Sequence, residues 1–348
     1  MAAGPAARVS FASEAALEDA LSAPSAGLLA SLRATPGDIV VLGAAGKMGP
    51  TLARMARRAI DELGRRDRVI AVSRFSSPKA EHSLHAWNIE TIRCDLLDRN
   101  AVAALPNAPN VIFMAGQKFG TSDAPSSTWA MNVVLPSIAA ERYAESRIVA
   151  FSTGNVYALS SVLGGGPRES DAPSPIGEYA MSCLGRERIF EDAASRRGTR
   201  VAIVRLNYAV DLRYGVLVDI ASRVLRGDRI DLRMGHVNVI WQGDANDWAL
   251  RCLAHASAPP FVVNVTGNET LAVRDLAVRF GELLQRAPAF TGTESPDALL
   301  SNASLAHRLF GPPSVSTSTL IEWVAEWVQA GRPQLGKPTH FEERSGAF

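Results

Sequence analysis

The sequence predicts an α/β fold, in which a doubly wound parallel sheet carries helices on both faces and a smaller C-terminal region follows. Three observations favour this fold. Short apolar runs of strand type alternate with helical patterns, the first run leads through a glycine-spaced turn into a helix, and the pattern becomes less regular after about residue 208. Alternation of this kind is typical of βαβ units. We therefore expect three regions, at 1–36, 37–207 and 208–348.

Composition excludes several classes of protein. The 348 residues are 47% hydrophobic and 20% charged, a ratio typical of a globular protein and too apolar for disorder. The 36 Lys and Arg residues nearly balance the 35 Asp and Glu residues, so no nucleic-acid or anionic-membrane partner is indicated. The longest apolar runs reach only about half of a bilayer span. We expect a protein without a membrane segment.

Cysteine and histidine usage bears on compartment and metal binding. The three cysteines are Cys94, Cys183 and Cys252, which are odd in number and far apart in the chain. This pattern favours a reducing compartment and argues against a cysteine-based zinc site. The six histidines show no HxxxH or HExxH spacing. We expect a cytoplasmic protein that holds no metal.

The N-terminal part predicts two short helices and then the first βα unit. Helical patterns cover 14–22 and 26–34, with a break at Pro24, and form an N-terminal extension. A strand is expected at 38–42, and a helix follows over 50–63.

The remaining elements continue the alternation. Further strands are predicted at 68–73, 91–94, 110–115, 147–152 and 200–206, and further helices at 126–144 and 178–194. Beyond residue 208 the sequence predicts helices at 217–226, 245–256, 273–286 and 318–330, an isolated strand at 261–265, and a surface-wrapping tail from 331.

The turn Gly43-x-x-Gly46-x-x-Gly49 lies between the first strand and the following helix, with Lys47 and Met48 inside it. Glycines allow a tight turn and close approach of the backbone, and the helix N-terminus presents free N–H groups to a pyrophosphate. Because strand and helix flank the motif as this mechanism requires, the sequence predicts a Rossmann-like dinucleotide-binding domain over 37–207.

The end of the second strand bears on cofactor choice. NAD selectivity requires a carboxylate there for the ribose hydroxyls, and the sequence has Ser73 and Arg74 instead. An arginine suits a 2′-phosphate, and Lys47 would add a second positive charge. We expect NADP as the cofactor, with NAD as the alternative.

Several motifs in the same order resemble the extended short-chain dehydrogenase/reductase superfamily, specifically the NAD(P)-dependent sugar epimerase/dehydratase family. Besides the glycine turn, the matching segments are Cys94-Asp95-Leu96, Met114-Ala115-Gly116, Asn132, Phe151-Ser-Thr-Gly-Asn-Val-Tyr157, Tyr179-x-x-x-Cys183 and Arg205-Leu-Asn207.

The resemblance implies roles for these residues. Thr153 is the hydroxyl donor to the reacting oxygen, Tyr179 is the acid/base for hydride transfer, and Asn132 matches the family's helix asparagine. The residues that the resemblance implies for cofactor binding, beyond the glycine turn, Ser73 and Arg74, are Asp95, Leu96, Ala115, Gly116, Tyr179 and Asn207.

The residue four positions after the tyrosine departs from the family's Y-x-x-x-K motif, because Cys183 stands where the lysine belongs. A neutral thiol supplies no positive charge to lower the pKa of Tyr179. Three alternatives follow. Another cation takes over, with Lys118 as the first choice and Arg186 as the second. Otherwise the reaction needs no ionised tyrosine, or the site is degenerate and only binds a nucleotide. Cys183 as a nucleophile is a further, weaker alternative.

A second departure narrows the reaction. Gly154 and Asn155 occupy the positions of the Asp-Glu pair of 4,6-dehydratases, which argues against that elimination. The resemblance then implies an epimerase or oxidoreductase acting on a carbohydrate-like hydroxy or keto metabolite, which the region 208–348 mainly binds. The expected substrate is a sugar, a sugar acid or a nucleotide sugar. The sequence leaves open whether the protein forms a homodimer. The rival hypothesis is a non-catalytic dinucleotide-binding or sensor protein.

Overall fold

A computed structural model describes residues 11–337 and 339–347 of the chain. Its centre is a parallel sheet of seven strands in the order β7-β6-β5-β4-β1-β2-β3. The strands are β1 (Ile39–Leu42), β2 (Val69–Ser73), β3 (Glu90–Arg93), β4 (Asn110–Phe113), β5 (Arg147–Thr153), β6 (Arg200–Leu206) and β7 (Phe261–Val265). The order reverses between β1 and β4, which is where a doubly wound sheet opens its ligand crevice.

Thirteen α-helices are found among the described residues. They are α1 (Glu14–Leu21), α2 (Ala26–Ala34), α3 (Gly49–Glu62), α4 (Pro78–Ala86), α5 (Arg99–Ala103), α6 (Pro125–Trp129), α7 (Leu135–Arg142), α8 (Gly177–Arg197), α9 (Val216–Arg226), α10 (Gln242–Arg251), α11 (Val273–Leu284), α12 (Ser304–Phe310) and α13 (Thr317–Gln329).

The two faces of the sheet bury separate hydrophobic cores. Helices α2, α3 and α10 cover one face, and α5, α7 and α8 cover the other. Strand β1 shows how the alternation divides them, since Ile39 and Val41 pack on the first face and Val40 and Leu42 on the second. All four are buried, as expected for a central parallel strand. The predicted Rossmann-like sheet is confirmed.

The predicted helix over 126–144 is a composite in the structure. It consists of α6, a π-helical turn at Ala130–Val134 and α7. Pro136 near the start of α7 has no N–H, and the wider turn precedes it. The π-turn carries Asn132 into the interior, where it is fully buried. The sequence pattern also missed three short helices, α4, α5 and α12.

The region after β6 forms a third core from α9, α11 and α13. The C-terminal tail then wraps around it, as the sequence predicted. Phe341 is buried in this core, and the backbone N–H of Thr339 donates to Asp219 Oδ2 at 2.8 Å. Strand β7, which the sequence predicted as an isolated strand, instead pairs in parallel with β6 and completes the edge of the central sheet.

Two searches of the described residues bear on ligand and membrane classes. None of the helices there is both long and apolar enough to cross a bilayer. In the same residues, no group of three or more His, Cys, Asp or Glu side chains is placed to hold a metal ion.

Candidate functional site

The glycine turn follows β1 at the carboxyl end of the sheet and leads into α3. Gly43 has a φ of +87°, and a Cβ there would lie 2.6 Å from the backbone nitrogen of Ala115. A Cβ on Gly49 would lie 2.2 Å from the carbonyl oxygen of Ala44. At Gly46 the same test finds only the Gly43 carbonyl, at 3.4 Å. The outer glycines therefore serve the fold, and Gly46 leaves space for a ligand.

An elongated cavity of about 240 Å³ runs from this turn across the ends of β2, β3 and β4. It lies where the fold places the adenosine half of a dinucleotide. Its lining includes eight of the predicted cofactor residues: Gly43, Gly46, Ser73, Arg74, Asp95, Leu96, Ala115 and Gly116. The end of β2 contributes no carboxylate to the lining.

A second cavity, of about 180 Å³, opens on the other side of the turn at the ends of β5 and β6. We call it the reaction cavity. It collects residues from distant parts of the chain: Lys47, Met48, Lys118, Ser152, Thr153, Asn155, Tyr179, Leu206, Asn207, Tyr208, Ala209, Tyr214, Gly215, Val216 and Thr339. The predicted Thr153, Tyr179, Lys118 and Asn207 thus meet in one place. Lys47, Met48 and Asn207 line this cavity rather than the adenosine one.

Tyr179 lies in the first turn of α8 and shares a hydrogen bond with Thr153 at the end of β5. Burial raises the pKa of the Tyr179 hydroxyl well above its ordinary value, and the neighbouring Cys183 raises it further. The hydrogen bond with Thr153 and the charge of Arg186 act in the opposite direction and lower it. The hydroxyl is therefore protonated at neutral pH.

Arg186 lies two turns after Tyr179 on the same helix and is 6% exposed. Its Nη1 donates to the carbonyl oxygen of Phe151 at 2.7 Å, and its Nη2 donates to Asn132 Oδ1 at 2.7 Å. Asn132 Nδ2 in turn donates to the carbonyl oxygen of Gln117 and to Ser182 Oγ, both at 2.9 Å. Asn132 is thus a positioning residue that joins Arg186 to the loop after β4.

Two lysines also reach the reaction cavity. Lys118 Nζ lies 5.9 Å from the ring centroid of Tyr179, and burial lowers the pKa of Lys118 to about 8. Lys47 Nζ donates to the carbonyl oxygen of Ala209 at 2.9 Å and lies 4.3 Å from the ring centroid of Tyr214. Burial also lowers the pKa of Lys47 to about 8. Lys47 therefore points to the C-terminal region and away from the adenosine ribose.

With this geometry established, comparison with known proteins is informative. The model of a family described as "NAD dependent epimerase/dehydratase family" matches residues 39–210, from β1 to just beyond β6. Residues 39–210 belong to this epimerase/dehydratase family.

A relative that is similar over most of the chain was also found. The "Uncharacterized protein y4nG" of Sinorhizobium fredii (strain NBRC 101917 / NGR234) is 25% identical over 337 residues, which cover 86% of this chain and 80% of the relative.

Solved structures share the fold at low sequence identity. The UDP-glucose 4-epimerase of Thermotoga maritima with UDP-glucose is 19% identical, with a TM-score of 0.68 over 84% of this chain and 99% of that one. The UDP-glucose 4-epimerase of Thermus thermophilus in complex with NAD is 18% identical, with a TM-score of 0.69 over 83% and 98%. At these identities the likeness shows the fold.

The structure also shows the surroundings of Cys183, the residue that the sequence analysis placed at the position of the motif lysine. Its side chain is 1% exposed and packs with Val156 and Tyr157. Burial raises the pKa of the thiol, while the charge of Arg186 lowers it. A buried, protonated thiol of this kind is a poor nucleophile, so the surroundings of Cys183 favour a packing role.

Sequence reasoning missed a buried polar network behind the reaction cavity. Glu187 accepts two hydrogen bonds from Arg205, at 3.0 Å from Nε and 2.7 Å from Nη2, and a third from Ser152 Oγ. Arg205 Nη1 also donates to Tyr157 Oη at 2.7 Å. Tyr157 and Arg205 belong to the motif segments named in the sequence analysis. Glu187, eight residues after Tyr179, lies outside those segments, so no motif pointed to it. The network holds the ends of β5 and β6 against α8.

Proposed function

We propose that this protein is an NAD(P)-dependent oxidoreductase or epimerase that acts on a carbohydrate-like hydroxy or keto metabolite. One observation carries the proposal. The hydrogen-bonded hydroxyls of Thr153 and Tyr179 line a cavity that begins at the glycine turn, on the side where a nicotinamide would lie. Membership of residues 39–210 in the epimerase/dehydratase family supports the cofactor class, and the UDP-sugars of the epimerase structures support the substrate class.

The two hydroxyls suit proton transfer at a carbinol. A substrate oxygen held between Thr153 and Tyr179 accepts a hydrogen bond from one and exchanges its proton with the other. A bound nicotinamide would supply the hydride acceptor for the carbinol carbon. In the reducing direction the protonated Tyr179 hydroxyl gives its proton to the substrate oxygen as the carbon receives the hydride, which leaves Tyr179 ionised. In the oxidising direction the ionised Tyr179 takes the carbinol proton as the hydride leaves the carbon, so the same residue serves both directions. Asn207, whose Nδ2 is buried without a hydrogen-bond partner among the described residues, supplies a further donor to substrate.

Within this proposal, Arg186 and Lys118 supply the positive charge that the missing lysine would provide. The guanidinium of Arg186 lowers the pKa of Tyr179, whereas Lys118, at 5.9 Å from the ring, is itself partly neutral near its pKa of about 8. We therefore assign the main electrostatic support of Tyr179 to Arg186 and a secondary one to Lys118. This reverses the order that the sequence suggested.

Cofactor choice within this proposal is NADP. Ser73 and the exposed Arg74 line the adenosine cavity at the end of β2, the place where the ribose 2′ position lies in this fold. Lys47 gives no support to this choice, because its ammonium group is bound to Ala209.

The decisive experiment replaces Tyr179 by Phe and measures turnover and dinucleotide affinity separately. Loss of the proton carrier is expected to lower kcat by about 10²–10⁴-fold, while dinucleotide affinity stays within a few-fold. Tyr143→Phe is the matched control, because Tyr143 is buried on the far side of the sheet, where its hydroxyl donates to the carbonyl oxygen of Pro106. Turnover in Tyr179→Phe within a few-fold of wild type would show that the chemistry lies elsewhere.

A second candidate is a dinucleotide-binding protein without catalysis. Cys183 in place of the lysine, together with the raised pKa of Tyr179, favours it. Fluorescence of bound NADPH, measured with a panel of sugars and sugar acids, separates the two. Binding without turnover of any of them supports the second candidate.

A further inference from the structure

The C-terminal tail passes from α9 to the start of α8, and both helices contribute residues to the reaction cavity. At one end, Thr339 lines that cavity and is held on the first turn of α9. The backbone N–H and the Oγ1 of Thr339 both donate to Asp219 Oδ2, at 2.8 Å and 2.5 Å. At the other end, Gly346 lies against Gly177, the first residue of α8. We call residues 339–346 the strap.

The contact between Gly346 and Gly177 is made backbone to backbone. Gly346 has a φ of +79° and Gly177 a φ of +82°. A Cβ on Gly177 would lie 2.3 Å from the carbonyl oxygen of Gly346, and a Cβ on Gly346 would lie 2.3 Å from that of Ile176. A side chain at either position would therefore push the two segments apart, in addition to the strain of a positive φ.

The first turn of α8 lacks a capping side chain. Its N-cap residue, Ile176, makes no side-chain hydrogen bond to the N–H groups that begin the helix. Trp129 Nε1 donates to Glu178 Oε2 at 2.5 Å, which ties one side chain of the turn to α6. The strap instead contacts the backbone of the turn. Because Tyr179 follows Gly177 by two residues, this contact bears directly on where the Tyr179 hydroxyl lies.

The strap is itself fixed to the C-terminal region between its two ends. Phe341 is 1% exposed and belongs to the core formed by α9, α11 and α13. Arg223 Nη2 donates to Glu342 Oε1 at 2.5 Å, and Arg344 Nη1 donates to the carbonyl oxygen of Asp297 at 3.0 Å. The strap is thus part of the C-terminal region, and through it the position of that region is imposed on α8.

The space under the strap is nearly filled. A cavity of about 20 Å³ remains there, and its lining includes Asn155, Ile176 and Gly346. This is room for about one water molecule. Asn155 also lines the reaction cavity. The strap therefore closes the reaction cavity on the side of Asn155.

We propose that the strap positions Tyr179 for proton transfer, by fixing the first turn of α8 against the C-terminal region. Thr339 and Gly346 are then positioning residues, since they hold the two ends of the strap and act through α9 and α8. The inference rests on the proposed function, because it takes Tyr179 as the acid/base. Position matters at such a site, since a misplacement of about 1 Å costs up to roughly 10²-fold in rate.

The first measurement compares two glycine variants of the tail. The Cβ of Gly346→Ala meets the carbonyl oxygen of Ile176, whereas Gly336 has a similar φ, of +64°, and nothing within 4 Å of its Cβ position. Both variants carry the strain of a positive φ, so their difference reports the contact with α8. We expect hydrogen–deuterium exchange in a peptide over 177–184 to be about tenfold faster in Gly346→Ala and unchanged in Gly336→Ala. Exchange in Gly346→Ala equal to that of the wild type, with and without NADPH, would overturn the proposal.

The second measurement separates positioning from support of the fold, and it uses the sugar or sugar acid that the wild-type protein converts fastest. Gly346→Ala is expected to lower kcat by at least about tenfold, while KM and the affinity for NADPH stay within about threefold. Thr339→Val loses the hydroxyl that donates to Asp219 and should lower kcat by about three- to tenfold. Thr339→Ser keeps both donors and should recover most of that loss.

A purely structural strap would give a different pattern. A rise in KM as large as the fall in kcat, or the same fall in kcat in Gly336→Ala, would overturn the positioning role. So would a Thr339→Ser protein as slow as Thr339→Val.

Failure of the strap and failure of the proposed function give different results. Turnover that survives Tyr179→Phe would reject the proposed mechanism, and the role of the strap in it. Turnover that is lost in Tyr179→Phe and intact in Gly346→Ala would reject the strap alone. If the wild-type protein converts none of the sugars, the exchange measurement decides. Faster exchange over 177–184 in Gly346→Ala then supports the hold of the strap on α8, and unchanged exchange rejects it.

Discussion

The adenosine cavity and the reaction cavity lie on either side of one glycine turn, and they are built in different ways. The adenosine cavity uses short consecutive segments at the ends of β1 to β4, each close to its strand. The reaction cavity instead gathers side chains from residue 47 to residue 339. The first is therefore specified by local motifs, and the second depends on tertiary packing. A residue from a distant segment is therefore able to replace a missing side chain in the reaction cavity, where such segments meet.

Arg186 illustrates such compensation. Seven positions separate it from Tyr179, so the two lie on nearly the same side of α8, at about two helical turns. Helical side chains lean toward the N-terminus, which brings the guanidinium back toward Asn132 and the loop after β4. In the proposed mechanism, Arg186 thus supplies from about one turn further along the helix the positive charge that a lysine at position 183 would have provided.

Among the variants that test this difference between the two cavities, Arg186→Met is expected to change turnover most. Removal of the cation raises the pKa of Tyr179 further, and each unit of increase lowers the ionised fraction about tenfold. We expect at least about a tenfold loss of turnover at pH 8, with the tyrosine-dependent limb of the pH–rate profile moved to higher pH. The variant also loses two hydrogen bonds, to Phe151 and Asn132, at a cost of about 1–3 kcal/mol each. Rates are therefore measured well below its unfolding temperature.

Two further variants sharpen this result. Arg188→Met is the control, because Arg188 lies on the outer face of α8 and pairs with Glu191. Cys183→Lys should gain nothing by itself, since its ammonium would face the Arg186 guanidinium, but it should restore part of the rate in the Arg186→Met protein. An unchanged pH profile in Arg186→Met, with a displaced profile in Lys118→Met, would make Lys118 the supporting cation instead.

The adenosine side should respond more weakly, and only in cofactor choice. Arg74 is exposed, so its interaction with a 2′-phosphate is screened by water and salt. Arg74→Ala is expected to lower the affinity for NADPH by about fivefold and leave the affinity for NADH unchanged. Titration of both dinucleotides by fluorescence checks this. NADH binding as tightly as NADPH in the wild-type protein would remove the NADP assignment.

These expectations show how far sequence reasoning reached. The first six strands of the sheet and the glycine turn were predictable, because apolar runs and glycine spacing are local signals. The seventh strand was predicted as an element, but its place in the sheet depends on long-range pairing with β6. The π-turn at Ala130–Val134 was not predictable, since it depends on burying Asn132 against Arg186 and Gln117. Sequence reasoning expected Lys118 beside Tyr179, but it did not predict that Lys47 would line the same cavity. That placement depends on how the loop after β6 and the tail pack against the glycine turn, which no short motif records.

The smallest expected effect concerns Lys47 and Lys118. The pH dependence of the protein's stability should distinguish these buried lysines from a lysine on the surface. Burial lowers the pKa of Lys47 and of Lys118 from 10.5 to about 8, so between pH 8 and pH 10 the unfolded chain binds more protons than the folded protein. Stability rises with pH wherever the unfolded state binds more protons. Both lysines therefore contribute a gain in stability as pH rises from 8 towards 10.

This gain in stability should be visible in melting temperatures measured without added cofactor or substrate. Lys47→Met or Lys118→Met is expected to reduce the rise in Tm between pH 8 and pH 10 by about 1–3 °C, in keeping with a modest change in a chain of this size. Lys79→Met is the matched control, because the Lys79 side chain is 78% exposed, and its curve should run parallel to that of the wild type. A Lys47→Met or Lys118→Met curve that also stayed parallel would mean that the ammonium groups are as well solvated as that of Lys79. The reaction cavity would then be open to water at these two lysines.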